Sequence, residues 1–130
     1  MIQITPHQKL WLAIEPADFR KGIDGLAALC RQRFDENPFS SNLFVFTNRR
    51  RIAVKILSYD GQGFWLCAKR FSKGRLAWWP TNPAALYAIS PTQLHILLYQ
   101  GHPLEVKIPE DWKPIVTLPS IPQEGASLLL

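Results

Sequence analysis

Between Thr47 and Pro80 the chain gathers eight of its fifteen Lys and Arg residues: Arg49, Arg50, Arg51, Lys55, Lys69, Arg70, Lys73 and Arg75. Only one acid, Asp60, stands among them. Guanidinium groups grip anionic oxygens in pairs and ammonium groups add point charge, so the chemistry on offer is capture of a phosphate-rich partner. The stretch nets +7 and the rest of the chain −2, for +5 overall. A solvated basic face that serves only solubility would have the same composition, so composition alone does not separate the two readings. Arg20 and Lys21, in DFRKGIDG, either extend that surface or pair with Asp18 and Asp24.

Chemistry of other kinds finds little support. A metal-dependent nuclease needs carboxylates that converge on one ion. Asp24 reads as a helix cap, and Asp60 as a hairpin-turn residue far from the cations. His7, His95 and His102 have no ligand spacing. Cys30 and Cys67 lie far apart in apolar settings, which marks them as small buried residues in a reducing compartment, neither a disulfide framework nor a metal site. The expectation is no catalytic residue, no metal and no cofactor. The start of the chain is polar and contains proline, and no run has the length of a bilayer span, so a cytoplasmic protein without a membrane partner is expected.

The elements that must position the cations follow from pattern. The expected fold class is α+β: an antiparallel meander of about four to five strands with two helices packed on one face. Residues 1–102 form its single domain, and residues 103–130 a Pro-rich extended tail. Lys9 to Ile14 reads as a strand. Ile23, Leu26, Ala27, Cys30 and Phe34 make one helical stripe, with Asp24 as its N-cap. Leu43 to Thr47, Ile52 to Leu57, Phe64 to Phe71 and Arg75 to Trp79 read as four meander strands, broken by Asn48-Arg49-Arg50, Asp60-Gly61 and Lys73-Gly74. Ser90-Pro91-Thr92-Gln93 opens a second helix with a capping box, Leu94, Leu97 and Leu98 form its apolar face, and Gly101 sits at its C-terminal cap.

In a meander, alternate turns share an end of the sheet. The two clumps of charge, one at Arg49 to Arg51 and one at Lys69 to Arg75, therefore fold into one cluster, and the Asp60 turn goes to the opposite end. Two-residue loops set Arg51 opposite Arg70 and Lys55 opposite Leu66. They also put Trp79 on the cationic face, where it either stacks on a base or packs under the Pro-rich tail. Neither helix carries the charge of a recognition helix, so contact runs to the sugar-phosphate chain with weak sequence preference.

The segments WLAIEPADFRKGIDGLAAL and NPFSSNLFVFTNRRRIAVKILSYDGQGFWLCAKRFSKGRLAWWP, with the short helix after Ser90, resemble the Orf2-like accessory proteins, also called TnpB, of the insertion sequence 66 family of bacterial transposable elements. The likeness covers about residues 9 to 101. Tyr59 stands where that pattern has a tryptophan, and the Arg run lacks the acid that often follows it. The resemblance implies an accessory role in DNA transposition and recombination beside a separate, element-encoded transposase, and no catalysis. It also favours the surface role for Arg20 and Lys21. DNA and the transposase are thus the expected partners, either through direct DNA binding or through an adaptor role with little DNA contact. Stoichiometry stays open, a homo-oligomer included.

Overall fold

Leu43–Thr47 (LFVFT) is apolar on both faces, and all five of its residues are buried at the centre of the sheet. In chain order the elements are β1 Leu10–Ala13, α1 Ile23–Gln32, β2 Leu43–Thr47, β3 Ala53–Tyr59, β4 Phe64–Arg70, β5 Leu86–Ile89 and α2 Pro91–Leu98. The structure is a computed structural model that describes residue 4 and residues 8–105. The tail expected over 103–130 lies outside the described residues from position 106 on, as does His7.

The architecture is α+β, a five-stranded and mostly antiparallel sheet in the order β4-β3-β2-β1-β5. One pair departs from the expected meander. β1 and β2 run parallel, with Leu10 beside Leu43 and Leu12 beside Val45. Parallel strands need a long crossover, and residues 14–42, including α1, supply it. Because of that crossover, the chain leaves β1 and the helix starts at the end of the sheet where β2 also finishes.

The two helices lie on opposite faces, where one shared face was expected. Leu26, Ala27 and Cys30 of α1 pack with Phe44, Phe46 and Leu57. Leu94 and Leu97 of α2 pack on the other side with Leu10, Leu12, Leu43 and Val45. The reason is the period of a strand: alternate residues of β2 point to opposite faces, and in LFVFT both sets are apolar. A single cover would leave Phe44 and Phe46, or Leu43 and Val45, in water.

The fourth meander strand does not form. Residues 71–85 have no regular structure, and Leu76, Trp78 and Trp79 all enter the α2-side core. A strand would send the adjacent Trp78 and Trp79 to opposite faces; here both tryptophans are wanted on one side. The fifth strand is instead β5, which pairs antiparallel with β1 from Leu86 opposite Ala13 to Ile89 opposite Leu10. Among the described residues β4 is therefore an edge strand.

Register also differs from the two-residue hairpin. Tyr59 opposes Phe64, so the connection is the four residues 60–63. Asp60 builds that turn itself: its Oδ1 accepts from the Gln62 and Gly63 amides at 2.9 Å, and its Oδ2 from Trp65 Nε1 at 2.8 Å. The longer loop shifts pairing by two, which preserves the faces. Lys55 opposes Ala68, and Arg70 opposes Ala53.

Helix ends show the same mixture. α2 has the expected capping box, Gln93 N donating to Ser90 Oγ at 3.1 Å and Ser90 N to Gln93 Oε1 at 2.9 Å. Its C-terminus closes with Gln100, at φ 66°, in the left-handed position where glycine was expected. Gly101 follows and donates to Ile96 O at 2.9 Å. Glycine is needed at 101 for space, because a Cβ there would stand 2.7 Å from Ile96 Cγ2. α1 is capped by Gly22 with no side-chain hydrogen bond, so Asp24 lies inside the first turn and is not the cap. There its negative charge still complements the helix dipole.

Candidate functional site

The β2–β3 connection is built by Asn48. Its backbone carbonyl accepts from Arg51 N at 3.1 Å, and its Oδ1 accepts from Ile52 N at 3.1 Å. That local bonding leaves Arg49 and Arg50 exposed at the tip. Arg51 takes φ 59°, a left-handed backbone that costs a residue with a Cβ about 1 kcal/mol. Arg51→Gly should therefore hold or raise stability by up to about 1 kcal/mol in a denaturant melt. If Arg51 touches phosphate, the same change should flatten the log–log salt dependence of binding by about 0.9.

The chain after β4 folds back onto this turn. Phe71 N donates to Ile52 O, and Leu76 N to Arg51 O, each at 2.9 Å. Arg70, Lys73 and Arg75 are thereby brought beside Arg49, Arg50 and Arg51 at one end of the sheet. The Asp60 turn closes the other end of the same two strands. Gln100 Nε2 pins the Lys73–Arg75 segment, donating to Lys73 O at 2.9 Å and Arg75 O at 3.2 Å. The segment before α1 joins the same pole, since Ala17 N donates to Thr47 O at 2.9 Å.

The sequence-picked cations have different roles there. Arg49, Arg50, Arg70, Lys73 and Arg75 are exposed, and none makes an ion pair among the described residues. Arg51 is half-buried by its backbone partners. Lys55 is turned inward: its ammonium donates to Phe19 O at 2.9 Å and Lys21 O at 3.3 Å and lies over the Phe19 ring. It fastens the segment before α1 and is less available to a ligand than its exposed neighbours. Lys69, on the α2 face, donates to Leu98 O at 2.8 Å and sits 3.9 Å from the centre of the Tyr99 ring. Partial burial lowers its pKa. Lys21 is exposed, with its stem packed on Gly25.

Arg20 makes a forked pair with Asp18, Nε to Oδ1 at 3.1 Å and Nη2 to Oδ2 at 2.8 Å. Those bonds, with the Arg20 amide on Asp18 Oδ1, hold the Asp18 carboxyl down at about 2. At neutral pH Arg20 therefore carries its counter-charge with it. Asp60 is also held below the usual carboxylate range, first by the Gly63 and Gln62 amides. Burial pushes the Cys30 thiol up to about 12, so it is a packing residue with no thiolate chemistry near neutral pH. Among the described residues no three His, Cys, Asp or Glu side chains converge as metal ligands would, and no helix is long and apolar enough to cross a membrane.

Against this geometry, residues 8–107 match the family model described as IS66 Orf2 like protein. The chain belongs to the IS66 Orf2-like family. The family's role is an accessory one in transposition, and it is not known as a catalytic family. Two relatives come from Sinorhizobium fredii. The uncharacterized protein y4hO is 37% identical over 117 residues, 88% of this chain and 96% of its own length. The uncharacterized protein y4jC is 30% identical over 98 residues, 75% and 83% of the respective chains. No solved structure matches the chain.

One aromatic of this family member was left open by the sequence and another was not picked out from it. Of the two roles open to Trp79, stacking on a base or packing, it takes packing: it is 3% exposed, and its Nε1 donates to Ala13 O at 3.0 Å and Ile14 O at 3.2 Å. It packs under the end of β1 and is closed to a base. The exposed ring at the pole is Tyr99, 69% accessible. The signal was present: His95 and Tyr99 are four apart, on the side of α2 away from Leu94, Leu97 and Leu98.

Proposed function

We propose that the protein is a non-catalytic accessory factor of transposition that binds nucleic acid through the basic pole, and so helps assemble the transposition complex beside the transposase. The observation that carries this is the meeting of Arg49, Arg50, Arg51, Arg70, Lys73 and Arg75 at one end of the sheet with no carboxylate partner among the described residues. Like charges so concentrated repel one another unless an anion lies between them. Among the described residues no helix presents a charged face at the pole, which favours contact with the sugar-phosphate chain and a weak sequence preference. A titration against element-end and random DNA at two salt concentrations tests the reading. Failure to bind either DNA at low salt overturns it.

The Asp18–Arg20 pair gives a separate check on the extent of the interface. Both side chains are solvent-accessible, so the pair is weak and Asp18→Asn leaves the fold intact. The substitution frees the guanidinium. Where Arg20 belongs to the interface, low-salt affinity rises and the salt dependence steepens by up to about 0.9. An unchanged slope places Arg20 outside it.

A second reading, an adaptor for the transposase with little DNA contact, has its own observation. At the far pole Phe39, half-exposed, meets Tyr59 and Phe64 at ring distances of 5.1 and 5.3 Å, and Trp65, the next residue along the edge strand, is exposed from the opposite face of the sheet. Aromatic anchors of this kind suit a protein partner. Co-purification with the transposase after nuclease digestion separates the two readings. The poles are distinct, and one molecule has room for both.

A further inference from the structure

We infer that Tyr99 is a stacking platform for an unpaired base and that the basic pole takes single-stranded DNA in preference to duplex. The inference rests on the basic pole being a nucleic-acid site. Tyr99 is the C-cap of α2 and the most exposed of the large hydrophobic side chains among the described residues. Its ring is held in place. The Lys69 ammonium lies 3.9 Å from the ring centre and is itself anchored on Leu98 O, while His95 packs at 4.8 Å. A ring this exposed still offers π surface to solvent.

The next residue, Gln100, is the one that grips Lys73 O and Arg75 O. An aromatic platform thus adjoins the turn that carries two phosphate-seeking cations, with Lys69 beneath the ring to strengthen it. A flat ring flanked by backbone-tracking charge is the arrangement that binds single strands, because every base has a face to stack. In duplex both faces of each internal base are already covered, and the ring has nothing to meet.

The test compares a labelled single strand with the duplex of the same sequence at low salt, for the wild-type chain and for Tyr99→Ala, Tyr99→Leu and Tyr99→Phe. Base stacking predicts that Tyr99→Ala weakens single-strand binding at least about fivefold and leaves duplex binding unchanged. Tyr99→Leu, which keeps apolar bulk without a flat face, should behave like alanine, and Tyr99→Phe like wild type. Thermal melts of the variants should match wild type, as expected for an exposed site. Equal loss on both forms of DNA, or loss on neither, overturns the stacking role while leaving the basic pole in place. A wild-type chain that binds neither form overturns the proposed function itself, and this inference with it.

Discussion

Replacing Arg49, Arg50 and Arg51 together by alanine should remove most of the salt sensitivity of DNA binding and leave the fold as stable as before. Each phosphate neutralised contributes about −0.9 to the slope of log K against log salt. With about five contacts the wild-type slope is roughly −4.5, so affinity falls about 500-fold between about 50 and 200 mM salt. Removing three contacts leaves a slope of roughly −1.8 and a fall of about 12-fold over the same range. The side chains of Arg49 and Arg50 project from the tip, and what holds the turn is Asn48 with backbone groups. Thermal stability should therefore stay within about 0.5 kcal/mol. A wild-type slope in a well-folded triple variant would mean that the turn is a bystander.

The largest effect on stability is expected at Trp79. Trp79→Ala removes an indole from the α2-side core and strips a donor from Ala13 O and Ile14 O, where β1 ends. Large-to-small changes of this kind cost about 3–5 kcal/mol. For a domain of this size the midpoint should fall by about 10–20 °C. Trp79→Phe keeps most of the apolar contact and loses the donor, so it should cost about 1–2 kcal/mol. The outcome also settles which aromatic residue faces a ligand. A Trp79→Ala protein with an unchanged melt and a specific loss of single-strand binding would reverse the roles assigned to Trp79 and Tyr99.

Much of the fold was legible where the causes are local. The Ser90 capping box, the helical stripe from Ile23 to Cys30 and the doubly apolar LFVFT each depend on neighbours a few residues away, and each formed as read; Phe34, read as the end of that stripe, falls just past the helix, which stops at Gln32. The polarity of the cations was legible too, because the end of a sheet at which a turn falls depends only on parity. What failed depends on partners distant in sequence. The parallel pairing of β1 with β2 closes a loop of about thirty residues, and no local pattern announces it. β5 is four residues long and matters only because β1 offers it an edge. Trp78 and Trp79 looked like the end of an alternating strand, yet both enter one core, since packing decides what short apolar runs become. The placement of the helices could have been derived from LFVFT, whose two apolar faces each require a cover.

The amide of Gln100 has a consequence for how such a surface drifts over generations. The charge at the pole is supplied by several exposed side chains at once. Gln100 contributes position instead of charge. It must tolerate a left-handed backbone and still present two N–H groups to Lys73 O and Arg75 O. Glutamate lacks the donors, and glycine lacks the reach. The shape of the charge at this pole is thus inherited partly through an uncharged residue at the end of a helix, one that a search restricted to cations would pass over.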